Sequence, residues 1–146
     1  MSEKQLRQTM SALELSKAQL DNLSRQQELI RGSLDEHLRA KETVEAFSKT
    51  AEGEEVLLPA GAGVFLHAKV GDAKTGITNI GAGVMMEKDL AEISKILDSR
   101  IADLKAASQE LDEQAEKISY AIEQLSADAQ QQYVSMQKPE QPANKK

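Results

Sequence analysis

The sequence predicts an α+β chain in which a long antiparallel two-helix coiled coil is joined by two small β-hairpins. Three observations carry this. Residues 1–53 and 89–137 repeat their apolar side chains at helical spacing. Residues 54–88, between them, hold six of the eight glycines and alternate apolar with polar residues. The two helical stretches are also nearly equal in length, as the arms of a hairpin must be.

In the first stretch apolar residues fall at Leu6, Met10, Leu13, Leu20, Leu23, Ile30, Leu34, Leu38, Val44 and Phe47. The steps are mostly three, four or seven, which places these residues on one helix face. Lys17, Gln27 and Lys41 interrupt the stripe. Ser2 with Gln5 has capping-box spacing, and Gly53 suits the position after a helix end. Gly32 leaves two readings open: one continuous helix, or a break with a new start at Ser33 and Glu36.

Residues 54–88 read as four short strands, 56–59, 64–70, 77–80 and 84–87. "VFLHAKV" puts Val64, Leu66, Ala68 and Val70 on one face and Phe65, His67 and Lys69 on the other. "GDAKTG" reads as the loop between the second and third strands. "GAGV" occurs twice, twenty residues apart, so Gly61 and Gly63 recur as Gly81 and Gly83. Each copy is a backbone corner, either a hairpin turn or a sharp bend in a longer strand.

The last stretch opens with Asp89 and Glu92 at capping-box spacing. Its stripe runs through Leu90, Ile93, Leu97, Ile101, Leu104, Ser108, Leu111, Ala115, Ile118, Ile122, Leu125, Ala129, Gln132 and Met136. Steps of three and four alternate except at Leu97, which is the pattern of a coiled-coil seam. Each arm would measure ~75 Å at the helical rise. The tail 138–146 is polar with two prolines and is expected to be disordered.

Several functions are disfavoured. A net charge of −6 opposes binding to phosphate backbones. The chain has no cysteine, which removes disulfides and thiolate zinc sites and fits a reducing cytosol. The polar start "MSEKQLRQTM" is not a signal peptide, and no apolar run is long enough to span a membrane. The "GAGV" copies lack the third glycine of a dinucleotide fingerprint and the Gly-Lys-Ser/Thr of a P-loop. His37 and His67, the two histidines, stand far apart and read as a surface and a strand-face side chain. No nucleophile with its base, metal set or cofactor site is expected, so the chain is not read as an enzyme.

Two short hairpins are not stable alone and leave open edges. The strands are therefore expected to pair with other subunits through Val56, Leu58, Val64, Leu66, Val70, Ile77, Ile80, Val84 and Met86. At the free end of the arms Leu6, Met10, Leu13, Ile122, Leu125, Tyr133 and Met136 would be incompletely covered. Exposed Met and Leu suit contact with diverse apolar segments.

"VLLPAGAGVFLHAKV", "GITNIGAGVMMEKDL" and the flanking heptads resemble the α-type subunits of the prefoldin family. The most specific element is "IGAGVMMEKDL": a strand, a Gly-x-Gly corner, a second strand and a Glu-Lys-Asp helix start in order. Two hairpins, rather than one, point to the α type. The resemblance implies an ATP-independent, cytoplasmic chaperone, a hexamer of two α and four β subunits. Its hairpins would build an oligomeric β-barrel platform. Its arms would hold unfolded proteins for delivery to a group II chaperonin. It implies no nucleic-acid or membrane partner and no cofactor. Two other readings use the same residues: a coiled-coil scaffold or tether without client binding, and a small nucleotide-binding enzyme.

Overall fold

The computed structural model describes residues 2–138. The element order is α1 (Glu3–Ser48), β1 (Glu55–Gly61), β2 (Val64–Lys69), β3 (Thr75–Gly81), β4 (Val84–Asp89) and α2 (Leu90–Gln137). The expected α+β class and the four strands are present, each strand running one or two residues beyond its predicted bounds at one end or both, except β2, which stops one short. α1 passes through Gly32 without interruption. The predicted tail lies outside the described residues apart from Lys138. The chain forms two compact units, Met1–Ile30 with Ala107–Lys146, and Arg31–Ala106.

In the first unit, Leu13 and Leu23 of α1 and Leu111 and Ala129 of α2 are buried. Gln27 Nε2 donates to Asp112 Oδ1 at 2.7 Å. Ser2 and Gln5 stand beside Gln132 and Met136, so early α1 meets late α2 and the helices run antiparallel. Gln27 had looked like a flaw in the stripe. Its amide has a partner on the other helix, and such a bond favours one register over its neighbours.

The half-buried α1 positions here are Leu6, Thr9, Ala12, Ser16, Leu20, Gln27 and Ile30, and all but Ala12 alternate by three and four with buried Leu13 and Leu23. The seam thus passes through Thr9 and Ser16, not through Met10 and Lys17. Met10 is 44% exposed. The expected capping box is also corrected. The Leu6 N–H donates to the Ser2 carbonyl at 3.0 Å, while the Ser2 hydroxyl is buried without a partner.

In the second unit, Leu90, Ile93 and Leu97 form a buried cluster, with Ala40, Val44 and Phe47 packed against it. Burial of apolar surface is the main force holding such a cluster together. Lys41, another of the polar interruptions, forms an ion pair with Asp98 at 2.5 Å. That hydrogen bond, and then the Asp98 charge, raise the Lys41 pKa above its ordinary value. The sign follows: the pair's contribution is complete at neutral pH and is lost only as pH rises through the raised pKa. His37, not Leu38, occupies the half-buried position, and its Nδ1 lies 2.6 Å from the Ser33 carbonyl oxygen. Leu38 is exposed.

α1 ends earlier than Gly53. The Lys49 and Thr50 N–H groups donate to the Ala46 and Phe47 carbonyls, and the Thr50 hydroxyl caps Phe47 at 2.6 Å. Gly53, at φ 83°, instead turns the chain into β1 and donates to the Val70 carbonyl at 2.7 Å.

β1 pairs with β2, and β3 with β4, each as a separate antiparallel two-stranded sheet. The "GAGV" question resolves as a hairpin turn. Gly61 pairs with Val64, and the two residues between them have φ 52° at Ala62 and 78° at Gly63. Gly81 to Val84 repeats this with φ 49° and 77°. Positive φ at both central residues is the type I′ turn, whose twist matches antiparallel strands. Ala at the first position is strained, by roughly 1–2 kcal/mol. Ala62→Asn is therefore expected to stabilise the first hairpin by roughly 1 kcal/mol. Hydrogen exchange of the β1 and β2 amides would slow; unchanged exchange would mean that the turn stores no strain.

The second hairpin leans on the helix that follows it. A Cβ added at Gly76 would stand 3.0 Å from Ile93 Cδ1 and 3.2 Å from Leu90 Cδ2. Glycine permits that approach. The Leu90 N–H donates to the Lys74 carbonyl at 2.8 Å, and Arg100 Nη2 donates to the Asn79 carbonyl at 2.8 Å. The "GDAKTG" loop is shaped by Asp72, whose Oδ1 accepts the Lys74 N–H at 2.8 Å.

Candidate functional site: open hairpins and exposed arm ends

The strand pairs define two faces on each hairpin. In the first, Val56 opposes Ala68 and Leu58 opposes Leu66 on one face; Leu57 opposes His67 and Pro59 opposes Phe65 on the other. In the second, Thr78 opposes Met86 on one face, and Ile77 opposes Glu87 and Asn79 opposes Met85 on the other. The face carrying Val56, Ala68, Gly76, Thr78 and Lys88 is half-buried at its base. Towards the turns it stays open: Leu58 is 53% exposed, Leu66 54%, Val84 53% and Met86 48%. The opposite face is open too, at Leu57, Phe65, Ile77 and Met85.

Of the nine expected assembly residues, Leu58, Val64, Leu66, Ile77, Ile80, Val84 and Met86 are exposed and Val56 is half-buried. Val70 is not available to a partner. It is 4% exposed, and its N–H and C=O bond Glu54 and Gly53. It closes the base of the first hairpin instead. Sequence reasoning missed Leu57, Phe65 and Met85. Of the second face it included only Ile77, whereas both faces of each hairpin carry large apolar side chains.

Antiparallel sheets normally bury one face and leave the other polar. Here two small sheets expose large apolar residues on both faces, and each strand has one side without a ladder. Exposed edges and apolar patches of this kind mark surfaces made for other chains.

The seven expected arm-end residues all lie in the first unit but divide into three kinds. Met10, Tyr133 and Met136 are exposed at 44%, 53% and 46%. Leu6, Ile122 and Leu125 are half-buried seam residues. Leu13, at 7% exposed, belongs to the seam and is withdrawn as a contact residue. Val134, 47% exposed, was missed because it falls outside the seam. Between the helix ends lies a polar cleft lined by Ser2, Gln5, Asp128, Gln131, Gln132 and Met136. The Gln132 Oε1 atom is buried there without a partner. Buried polar atoms left unpaired each cost about 1–3 kcal/mol, so this end is held less firmly than the Leu-lined seam.

His67 is exposed, and His37 bonds within its own helix. Among the described residues no three His, Asp or Glu side chains gather as a metal set. Among the described residues no helix is long and apolar enough to cross a membrane.

Long paired helices joined by open hairpins define a coiled-coil subunit built for assembly. Comparison with known proteins makes the class specific. The family model for prefoldin subunits matches residues 16–135. The prefoldin subunit alpha of Nitrosopumilus maritimus is 30% identical over 97% of both chains. Prefoldin subunit alpha 1 of Methanocaldococcus jannaschii is 32% identical over 97% of this chain and 94% of its own. Prefoldin subunit alpha 1 of Thermococcus kodakarensis is 38% identical over 68% of each. The chain belongs to the prefoldin family, a family of chaperones.

Two solved structures share the fold. The filamentous PFD of Methanocaldococcus jannaschii gives a TM-score of 0.68 at 20% identity, covering 81% of this chain and 98% of that one. The prefoldin beta subunit of Thermococcus strain KS-1 gives 0.61 at 16% identity, covering 92% and 95%.

Proposed function

We propose that this chain is the α subunit of a cytoplasmic holdase that keeps unfolded proteins from aggregating without ATP and hands them to a group II chaperonin. Its hairpins join those of β subunits in a platform of two α and four β chains. The observation that supports this best is the exposure of large apolar residues on both hairpins, which a lone chain leaves in water. Removing a Leu, Val or Met side chain from water contributes about 1.5–3 kcal/mol, so several together drive a tight assembly. The likeness to named alpha subunits along most of the chain supports the same reading.

Client holding falls to the arm ends, through Met10, Tyr133, Val134 and Met136. Single exposed contacts of this sort are weak, and their strength comes from several arms acting on one client. Methionine suits the task because its flexible thioether fits partners of many shapes. With no nucleotide to drive release, the chaperonin takes over by competing for the same segments.

The test is light scattering from a chemically denatured protein diluted into the α–β complex without nucleotide. The wild-type complex suppresses aggregation. A complex whose α chain carries serine at Met10, Tyr133, Val134 and Met136 loses much of that effect while remaining assembled. If the substituted complex protected as well as the wild type, the arm ends would not be the holding site.

A further inference from the structure

Every described methionine is exposed. Met10, Met85, Met86 and Met136 lie at 44%, 58%, 48% and 46%, and none fills a buried seam position. Methionine more often lies in a core. In this chain the buried helix positions are Leu, Ile and Ala, and the described methionine side chains lie at the surface. The chain also has no cysteine, so methionine is its most readily oxidised side chain.

Met85 and Met86 stand out because they are consecutive on β4. Met85 lies opposite Asn79 and Met86 opposite Thr78, so their side chains project to opposite faces of the hairpin. A change at this pair therefore alters both faces at once. We propose that Met85 and Met86 form an oxidation site that controls assembly of the chain with its partner subunits. The reagent class is a peroxide. A sulfur lone pair attacks one peroxide oxygen, the S–O bond forms, the O–O bond breaks, and with one proton transferred the other oxygen leaves as water. The thioether is oxidised to a sulfoxide and the peroxide is reduced. The product is polar where the assembly requires an apolar surface, and a methionine sulfoxide reductase reverses it.

The free chain is the susceptible form, because assembly covers the same two side chains. The inference rests on reading the hairpins as the assembly surface. Its test is native mass spectrometry of the chain with a β subunit, before and after hydrogen peroxide, with oxidised residues located by peptide mapping. Oxidised wild-type chain should assemble at least about tenfold less tightly, the loss expected from removing one buried thioether. Met85 and Met86 should oxidise more slowly in the complex than in the free chain.

The double variant M85L/M86L should keep after peroxide whatever affinity it shows before it, since leucine has no sulfur to oxidise. Unimpaired assembly of oxidised wild-type chain would overturn the inference and leave the assembly reading intact. An equal loss in M85L/M86L would overturn it as well, by placing the effect elsewhere. If even untreated chain failed to bind a β subunit, both the inference and the assembly reading would fall.

Discussion

Replacing Leu58 and Leu66 with Asp should abolish assembly while leaving the helices folded. The two residues oppose one another across the β1–β2 ladder and are 53% and 54% exposed in the single chain. Because they are already in water, the charges cost the lone chain little; two carboxylates facing across a ladder cost it some tenths of a kcal/mol. In the assembly the same positions lose water. Losing two buried leucines removes about 3–6 kcal/mol, and the unpaired carboxylates add a desolvation cost on top. An affinity loss of at least about a hundredfold follows. Sedimentation of the mixture with a β subunit reads the loss, and circular dichroism checks that helix content is kept. Assembly at wild-type affinity would show that this face is not the one used.

The second large effect lies in the buried cluster of the Arg31–Ala106 unit. Leu97 is 8% exposed and sits with Leu90 and Ile93 against Ala40, Val44 and Phe47. Leu97→Ala removes side-chain volume from that cluster and leaves a cavity between the two helices. The expected cost is about 2–5 kcal/mol, seen as a lower urea midpoint. The same change at Leu29, 75% exposed on the outside of α1, should cost less than about 0.5 kcal/mol. Equal effects at the two positions would contradict the assignment of the core.

These two leucines also show what the sequence could disclose. The α2 seam was readable position by position from Leu90 to Gln132, because Leu, Ile and Ala occupy nearly every site. Leu97 could be placed in the core from spacing alone. In α1 the seam passes through Thr9, Ser16 and His37, each with an apolar or longer neighbour one residue on. Choosing the more apolar neighbour gave Met10 and Leu38. Stepping by four and three from Leu13 would have reached Thr9 and Ser16. A polar residue is tolerated there because the rim of a two-helix seam stays partly wet.

The hairpins divide the same way. Their number and limits were legible from glycine and alternation. The choice between turn and bend at Ala62 and Gly63 stayed open, because Ala gives no signal of positive φ. The assembly surface was half legible. Leu58 and Leu66 stand on the face that the alternation favoured, while Leu57, Phe65 and Met85 lie on the other face, where only Ile77 was expected to meet a partner. Val70 has the right face and the wrong surroundings, since the chain closes over it at Gly53 and Glu54. At the arm ends periodicity found the helices' meeting but not which side chains leave it, so Leu13 was included and Val134 was not.

Function as an α subunit requires that other chains complete the hairpins. Native mass spectrometry of this chain, alone and mixed with a prefoldin β subunit, tests that most directly. A hexamer of two α and four β chains that forms only in the mixture is the result predicted. A chain that stays monomeric under both conditions would contradict it.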